Sequence, residues 1–248
     1  MTTVGQGGAN AGQVKPSDRS FGAKTPAPAN LSESDRLAYN LAQGDPIAQQ
    51  IAQGGADFSL AEALDGLGGE GTLTVVFNTA RGPLACELFE TQAPNTVANF
   101  VGLARGKRAF RDHGSGAWTK RRYYDAIEFH RVIPGFMIQA GDPTGTGRES
   151  AGYVIADEFV GGAEHDVAGR LSMANRGPGT GSAQFFITLG PTTHLDGLHT
   201  VFGQCDAAGL ELAKSIASVP RDDTDHPVTS EPLESVVIER RSVVIERR

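Results

Sequence analysis

From residue 71 onward the apolar residues fall into short runs divided by turns rich in Gly and Pro. Thr72-Leu73-Thr74-Val75-Val76-Phe77 and Pro83-Leu84-Ala85-Cys86-Glu87-Leu88-Phe89 read as strands on either side of Ala80-Arg81-Gly82, a hairpin signal. Further strand-like runs lie at 126–132, 136–140, 152–156, 169–174, 183–189 and 200–205, and a last one runs from Leu233 to Ile238. Two segments switch to the 3.6-residue period. Pro94 opens a helix carrying Val97, Phe100, Val101 and Ala104 on one face, closed by Gly106. A second helix begins at or just after Asp206, with Leu210, Ala213, Ile216 and Ala217 aligned. The basic, glycine-containing stretch 107–122 reads as a surface loop. Many short strands with two helices predict a mainly β protein, a closed or nearly closed antiparallel barrel.

The two ends of the chain read differently. Residues 1 to about 30 are Gly, Ala, Thr, Pro, Gln and Asn with almost no large apolar side chains, too little to offset ordering entropy. Short helical signals follow. Ser32 with Asp35 precedes Leu37 and Leu41, Asp45-Pro46 precedes Ile47 and Ile51, and Ser59 with Glu62 forms a capping box before Leu60, Ala63, Leu64 and Leu67. Residues 1–69 are therefore expected to be a largely disordered extension with its last turn docked on the domain. At the other end Ser235–Arg241 is repeated literally as Ser242–Arg248. A barrel needs that strand once, so 242–248 is expected to be a frayed tail, the alternative being a copy that competes with the first for the same sheet edge. The domain itself is placed at 70–241.

Composition narrows the function. A net charge of -7 lacks the basic footprint of a nucleic-acid or anionic-membrane binder. No apolar run reaches the length of a membrane span, and no signal peptide is visible at Met1. The two cysteines, Cys86 and Cys205, sit in strand-like runs and read as buried free thiols, which points to a reducing, cytoplasmic setting. His194 and His199 lack metal-ligand spacing, and the Gly145-Thr146-Gly147 and Gly177–Gly181 segments lack the lysine of a phosphate loop. No metal and no cofactor is expected.

Strand parity locates the chemistry. In Ala183-Gln184-Phe185-Phe186-Ile187-Thr188-Leu189 one face carries Ala183, Phe185, Ile187 and Leu189 and suits a core. The other carries Gln184, Phe186 and Thr188, so the Phe186 ring needs a covering element or a ligand. Likewise Arg131 sits in Phe129-His130-Arg131-Val132-Ile133-Pro134-Gly135-Phe136-Met137-Ile138-Gln139-Ala140-Gly141-Asp142, a fixed cation beside Phe136 and Met137, which read as exposed.

That block resembles the signature of the cyclophilins, the cyclosporin-binding peptidyl-prolyl isomerases. So do Leu171-Ser172-Met173-Ala174-Asn175, Ala183–Ile187 and Leu195-Asp196-Gly197-Leu198-His199-Thr200-Val201-Phe202-Gly203. Four blocks in order over about 70–240 make the resemblance specific. It implies an eight-stranded antiparallel closed β-barrel capped by two α-helices, with the site on its outer face. By position it implies Arg131 as the catalytic arginine, and Phe136, Met137, Phe186 and Leu195 as a proline pocket with His199 at the wall. Gln139, Ala174, Asn175 and Gln184 would align the substrate backbone. The implied activity is rotation about Xaa-Pro bonds of proline-containing peptides and of unfolded or folding proteins; chain length and the acidic balance are compatible with a soluble monomer. The alternative is a non-catalytic module that holds a partner's proline motif, or an N-terminal extension that does the binding.

Two features depart from the family pattern. His194 stands where the family often has tryptophan, which implies retained isomerase activity with weak or reduced cyclosporin binding. The basic loop Lys107–Arg122 reads as a solvated insertion.

Overall fold

The computed structural model describes residues 58–159 and 162–241. The signals at Ser32 and Asp45, the glycine-rich start and the repeated tail lie outside these. Eleven strands are present among the described residues: β1 (Thr72–Thr79), β2 (Gly82–Leu88), β3 (Phe110–Arg111), β4 (Trp118–Thr119), β5 (Ile127–Glu128), β6 (Arg131–Ile133), β7 (Met137–Ala140), β8 (Arg170–Met173), β9 (Phe185–Thr188), β10 (Val201–Cys205) and β11 (Pro232–Arg241). They are joined by helices α1 (Leu60–Leu64), α2 (Pro94–Ala104) and α3 (Ala207–Ala217). None of these helices is long and apolar enough to cross a membrane.

Nine strands form one curled antiparallel sheet in the order β5-β11-β1-β2-β10-β8-β9-β7-β6. The sheet thus has nine strands in an open order, where a closed barrel of eight was expected. The difference arises where the predicted 126–132 run breaks at Phe129-His130. Phe129 N–H still donates to Glu231 O (3.0 Å) beside β11, whereas Arg131–Ile133 turns to pair with β7. The two sheet edges are therefore consecutive pieces of one chain segment, with no ladder between them.

The core is an aromatic cluster. Phe77, Phe100, Tyr124, Phe185 and Phe202 contact one another with ring centroids 5.1–6.0 Å apart. Full burial of each such ring is worth about 1.5–3 kcal/mol. Helix α2 is buried from Thr96 to Ala104, with Pro94 at its first turn. Its cap residue Ala93 offers no side chain. Instead the Glu158 carboxylate accepts the N–H groups of Asn95 (3.1 Å) and Thr96 (2.7 Å), placing a negative charge at the positive helix end. In α3 the Asp206 carboxylate accepts Gly209 N–H (2.7 Å), and Gly209, Ala213, Ile216 and Ala217 face inward. A Cβ at Gly209 would meet Ala85 O at 3.0 Å, so the small residue lets the helix lie close to β2.

The capping box at Ser59 is present: Glu62 N–H donates to the Ser59 hydroxyl and Ser59 N–H to the Glu62 carboxylate. Phe58, Leu60, Leu64 and Leu67 pack on the core, and the Phe58 ring lies over Gly102 of α2.

Three expectations are corrected. Residues 152–156 are buried but make only the isolated bridge Ile155–Gly181, because a continuous apolar run reports burial rather than strand pairing. The 107–122 loop contains the β3–β4 pair and a buried Arg108, whose guanidinium lies 4.2 Å from the Tyr153 ring centroid. Its outer charges are neutralised locally, Arg121 by Asp112 (2.6 Å) and Arg122 by Asp125 (2.5 Å). Finally, Cys86 and Cys205 are not free thiols but a disulfide. Parity showed both in strands; only the β2–β10 register shows them directly opposite each other. The cytoplasmic expectation thereby loses its support.

Candidate active site

Register assembles the site. Arg131 lies opposite Gln139 across β6 and β7, Gln139 opposite Phe186 across β7 and β9, and Phe186 opposite Ser172 across β9 and β8. Residues directly opposite project to the same face, so Arg131, Gln139, Phe186 and Ser172 form one row across the outside of the sheet. Met137, two residues from Gln139, shares that face. Met137 (2% exposed) and Phe186 (5%) are buried yet lie outside the main core cluster. They belong to a second, external apolar face. Met137 was expected to be exposed; the structure covers it.

What covers Phe186 are two histidines. The His165 ring stacks parallel to it at 6.0 Å and the His199 ring meets it edge-on at 5.3 Å. His199 Nδ1 donates to Met173 O (3.0 Å). Leu195 ends a short 3-10 turn, Thr193–Leu195, and His194 in that turn stacks on Phe136 at 5.9 Å. Phe136 follows the Gly135 turn (φ 74), a left-handed position suited to glycine.

The amide groups are connected. Gln139 Nε2 donates to Gln184 Oε1 (2.9 Å), and Gln184 Nε2 donates to Glu149 O (2.8 Å). Both polar ends of Gln184 are thereby committed, so it reaches a ligand only through Gln139. Ala174 N–H is likewise taken, by Gln184 O (2.9 Å). Asn175 Nδ2 donates to Leu198 O (2.7 Å), fixing the turn at the rim. The segment holding Glu149 is organised by buried Asp142. Its carboxylate accepts the Thr144 N–H and hydroxyl, Arg148 N–H and Glu149 N–H at 2.7–3.2 Å. Burial pushes the Asp142 carboxyl up, but these donors outweigh it and the net shift is downward.

Arg131 is partly exposed and its Nε lies 3.6 Å from Asp225 Oδ2. No described residue accepts a hydrogen bond from its terminal nitrogens. Of the eleven expected residues, Arg131, Met137, Gln139, Gln184, Phe186 and His199 share one face; Phe136 and His194 pair with each other, Leu195 ends the His194 turn, and Ala174 and Asn175 follow β8. A cleft of about 440 Å³ along β5 and the Pro143–Gly145 turn contains none of these residues.

Sequence reasoning missed His165, Asp196, Ser172 and Asp225. His165 N–H and Nδ1 each contact Asp196 Oδ1 at 2.8 Å, and Nε2 lies 3.0 Å from Ser172 Oγ. Thr192 N–H donates to His165 O (2.8 Å). One residue thereby ties the Leu195 turn, β8 and the Phe186 ring together. Burial keeps the His165 ring neutral by lowering its pKa, with Asp196 opposing only in part. Asp196 and Ser172 stood inside recognised blocks, so their identity was visible although their partner was not.

Residues 74–243 match the model of the cyclophilin type peptidyl-prolyl cis-trans isomerase/CLD family. The chain is 45% identical over 168 residues to peptidyl-prolyl cis-trans isomerase A of Mycobacterium tuberculosis, covering 67% of this chain and 92% of that protein. It is also 45% identical over 177 residues to peptidyl-prolyl cis-trans isomerase B of Streptomyces anulatus, covering 71% and 98%. Among solved structures, a Cryptosporidium parvum cyclophilin type peptidyl-prolyl cis-trans isomerase superposes with TM-score 0.57 at 32% identity, over 68% of this chain and 99% of that one. With its curled sheet and this outer face, the chain belongs to the cyclophilin-type peptidyl-prolyl isomerases. Its activity is peptidyl-prolyl cis-trans isomerisation.

Proposed function

We propose that Arg131 is the catalytic group and that the row Arg131–Gln139–Phe186 is the binding track for an Xaa-Pro segment. Rotation about such a bond is slow because amide resonance sets a barrier of roughly 18–20 kcal/mol. At the top of the barrier the amide is twisted and the proline nitrogen regains a lone pair. A guanidinium donor aimed at that nitrogen binds the twisted state better than either planar isomer. Phe136, Met137, Phe186 and Leu195, with His199 at the wall, hold the ring where water is scarce. Gln139 grips the backbone on one side while the other turns, with Ala174, Asn175 and Gln184 shaping its support.

The single observation that carries this reading is the register placing Arg131 beside Gln139 and next but one to Phe186. The solved relative that was crystallised in the presence of the dipeptide Ala-Pro supports a prolyl ligand. The same reading includes assistance to folding chains by a monomer and weakened cyclosporin affinity through His194. It includes a barrel closed by taking β5 and β6 as one bent strand, which reduces nine strands to eight, with 70–241 as the isomerase unit.

Arg131→Ala tests it, in an isomerisation assay on an Xaa-Pro peptide. A charged hydrogen bond is worth about 1.5–3 kcal/mol, so kcat/KM should fall about 10- to 150-fold. Equal rates for the two proteins would eliminate the mechanism.

A further inference from the structure

We propose that Asp225 is the positioning residue for Arg131, holding the guanidinium by its Nε so that the terminal nitrogens face the substrate. This rests on the assignment of Arg131 made above. Three observations carry it.

First, the turn bearing Asp225 is hydrogen-bonded to the backbone on both sides of Arg131. Val132 N–H donates to Asp225 O (2.9 Å), and His226 Nδ1 donates to His130 O (2.8 Å). The Asp225 side chain is thus locked in register with the arginine, although the two come from distant parts of the sequence. Second, Asp225 stands at φ 63, a left-handed conformation uncommon for a residue with a side chain. The turn enforces it. Asp222 Oδ1 accepts the Thr224 N–H (2.8 Å), the Thr224 hydroxyl (2.7 Å) and the His226 N–H (3.0 Å), and Asp225 N–H donates to Asp222 O (3.1 Å). Third, the two oxygens of Asp225 are divided. Oδ1 lies 3.1 Å from Arg221 Nε and Oδ2 lies 3.6 Å from Arg131 Nε. Arg221 pairs closely with the carboxylate, and Arg131 pairs with it at a longer, purely ionic distance.

An arginine with its Nε engaged loses rotational freedom but keeps four N–H donors on its terminal nitrogens. That is the arrangement a catalyst needs when one donor must meet a proline nitrogen only in the twisted state. The contact is partly exposed, and exposed ion pairs contribute little, up to about 1 kcal/mol, which is a change of up to about fivefold in rate.

Asp225→Asn tests this in the full chain. Asn tolerates the left-handed conformation and keeps the shape, so the thermal midpoint should stay close to that of the wild type. Kinetics on an Xaa-Pro peptide are measured for the wild type, Asp225→Asn, Arg131→Lys and the double variant. The expected result is a roughly three- to fivefold lower kcat for Asp225→Asn with KM nearly unchanged, together with a shift of the Arg131 Nε resonance. In the Arg131→Lys background, which lacks Nε, the Asp225 substitution should then have no further effect. An unchanged or raised kcat, or the same loss in both backgrounds, would overturn the proposal. A wild-type rate in Arg131→Lys and Arg131→Ala alike would instead overturn the assignment on which it rests.

Discussion

His165→Phe is the perturbation whose cost can be worked out most fully. It keeps an aromatic ring against Phe186 but removes both nitrogens. The Nδ1 contact to Asp196 (2.8 Å) and the Nε2 contact to Ser172 (3.0 Å) are lost. A hydrogen bond to a charged group is worth about 1.5–3 kcal/mol and a neutral one about 1 kcal/mol. Asp196 keeps the His165 N–H (2.8 Å), and its side chain is 25% exposed, so water recovers part of the first loss. Freed of Nε2, the single Ser172 proton can turn to Thr200 O, which lies 3.1 Å away. The expected destabilisation is about 2–3 kcal/mol, a fall in midpoint of about 4–12 °C for a domain of this size. Because the Leu195 turn hangs on the same residue, KM should rise more than kcat falls. His165→Asn, which restores a donor near the Nδ1 position, should recover part of the KM. Thermal unfolding and peptide kinetics check both halves. A midpoint within 2 °C of the wild type, with KM unchanged, would refute the reasoning.

Two further outcomes follow from buried groups. Burial lowers the pKa of His130 and of His165, so the unfolded chain takes up protons that the folded one refuses. Stability is therefore complete above about pH 7.5 and should fall as pH drops through the unfolded value near 6.5, by up to about 1.4 kcal/mol per pH unit for each ring. Below pH 4 the lowered carboxyls of Asp142, Asp196 and Asp222, and Asp112 at about 2, add their own loss. Urea unfolding from pH 7.5 to 5 checks this, and a flat profile would contradict it. The Cys86–Cys205 disulfide closes a loop of sequence separation 119, and its reduction should lower stability by about 2–4 kcal/mol. Unfolding with and without reductant measures the change, whereas two titratable thiols in the untreated protein would show that no bond exists.

Some of the site could be read along the chain and some could not. Arg131, Phe136, Met137 and Gln139 stand within nine residues of one another, so one block announces them. Phe186 was singled out by parity, since an aromatic ring on the polar side of a strand requires a partner. Its partners come from other segments: His199 was named only through the Leu195–Gly203 block and its resemblance, and no local pattern names His165. Glu158 capping α2 was invisible for the same reason, as Ala93 at the cap position gave no hint of a distant carboxylate.

The amino-acid order by itself determined the periodicities, and hence most of the strands and helices and the faces they turn inward, though not the bridge at 152–156 or the β3–β4 pair. These are local consequences of backbone geometry. Pairing register is not local. It decided that Cys86 meets Cys205, that Arg131 stands beside Gln139, and that the Asp225 turn reaches both flanks of the arginine. It also decided that the sheet curls with its edges joined through Phe129-His130. Such choices are made by the packing of distant surfaces, and only the folded chain contains them.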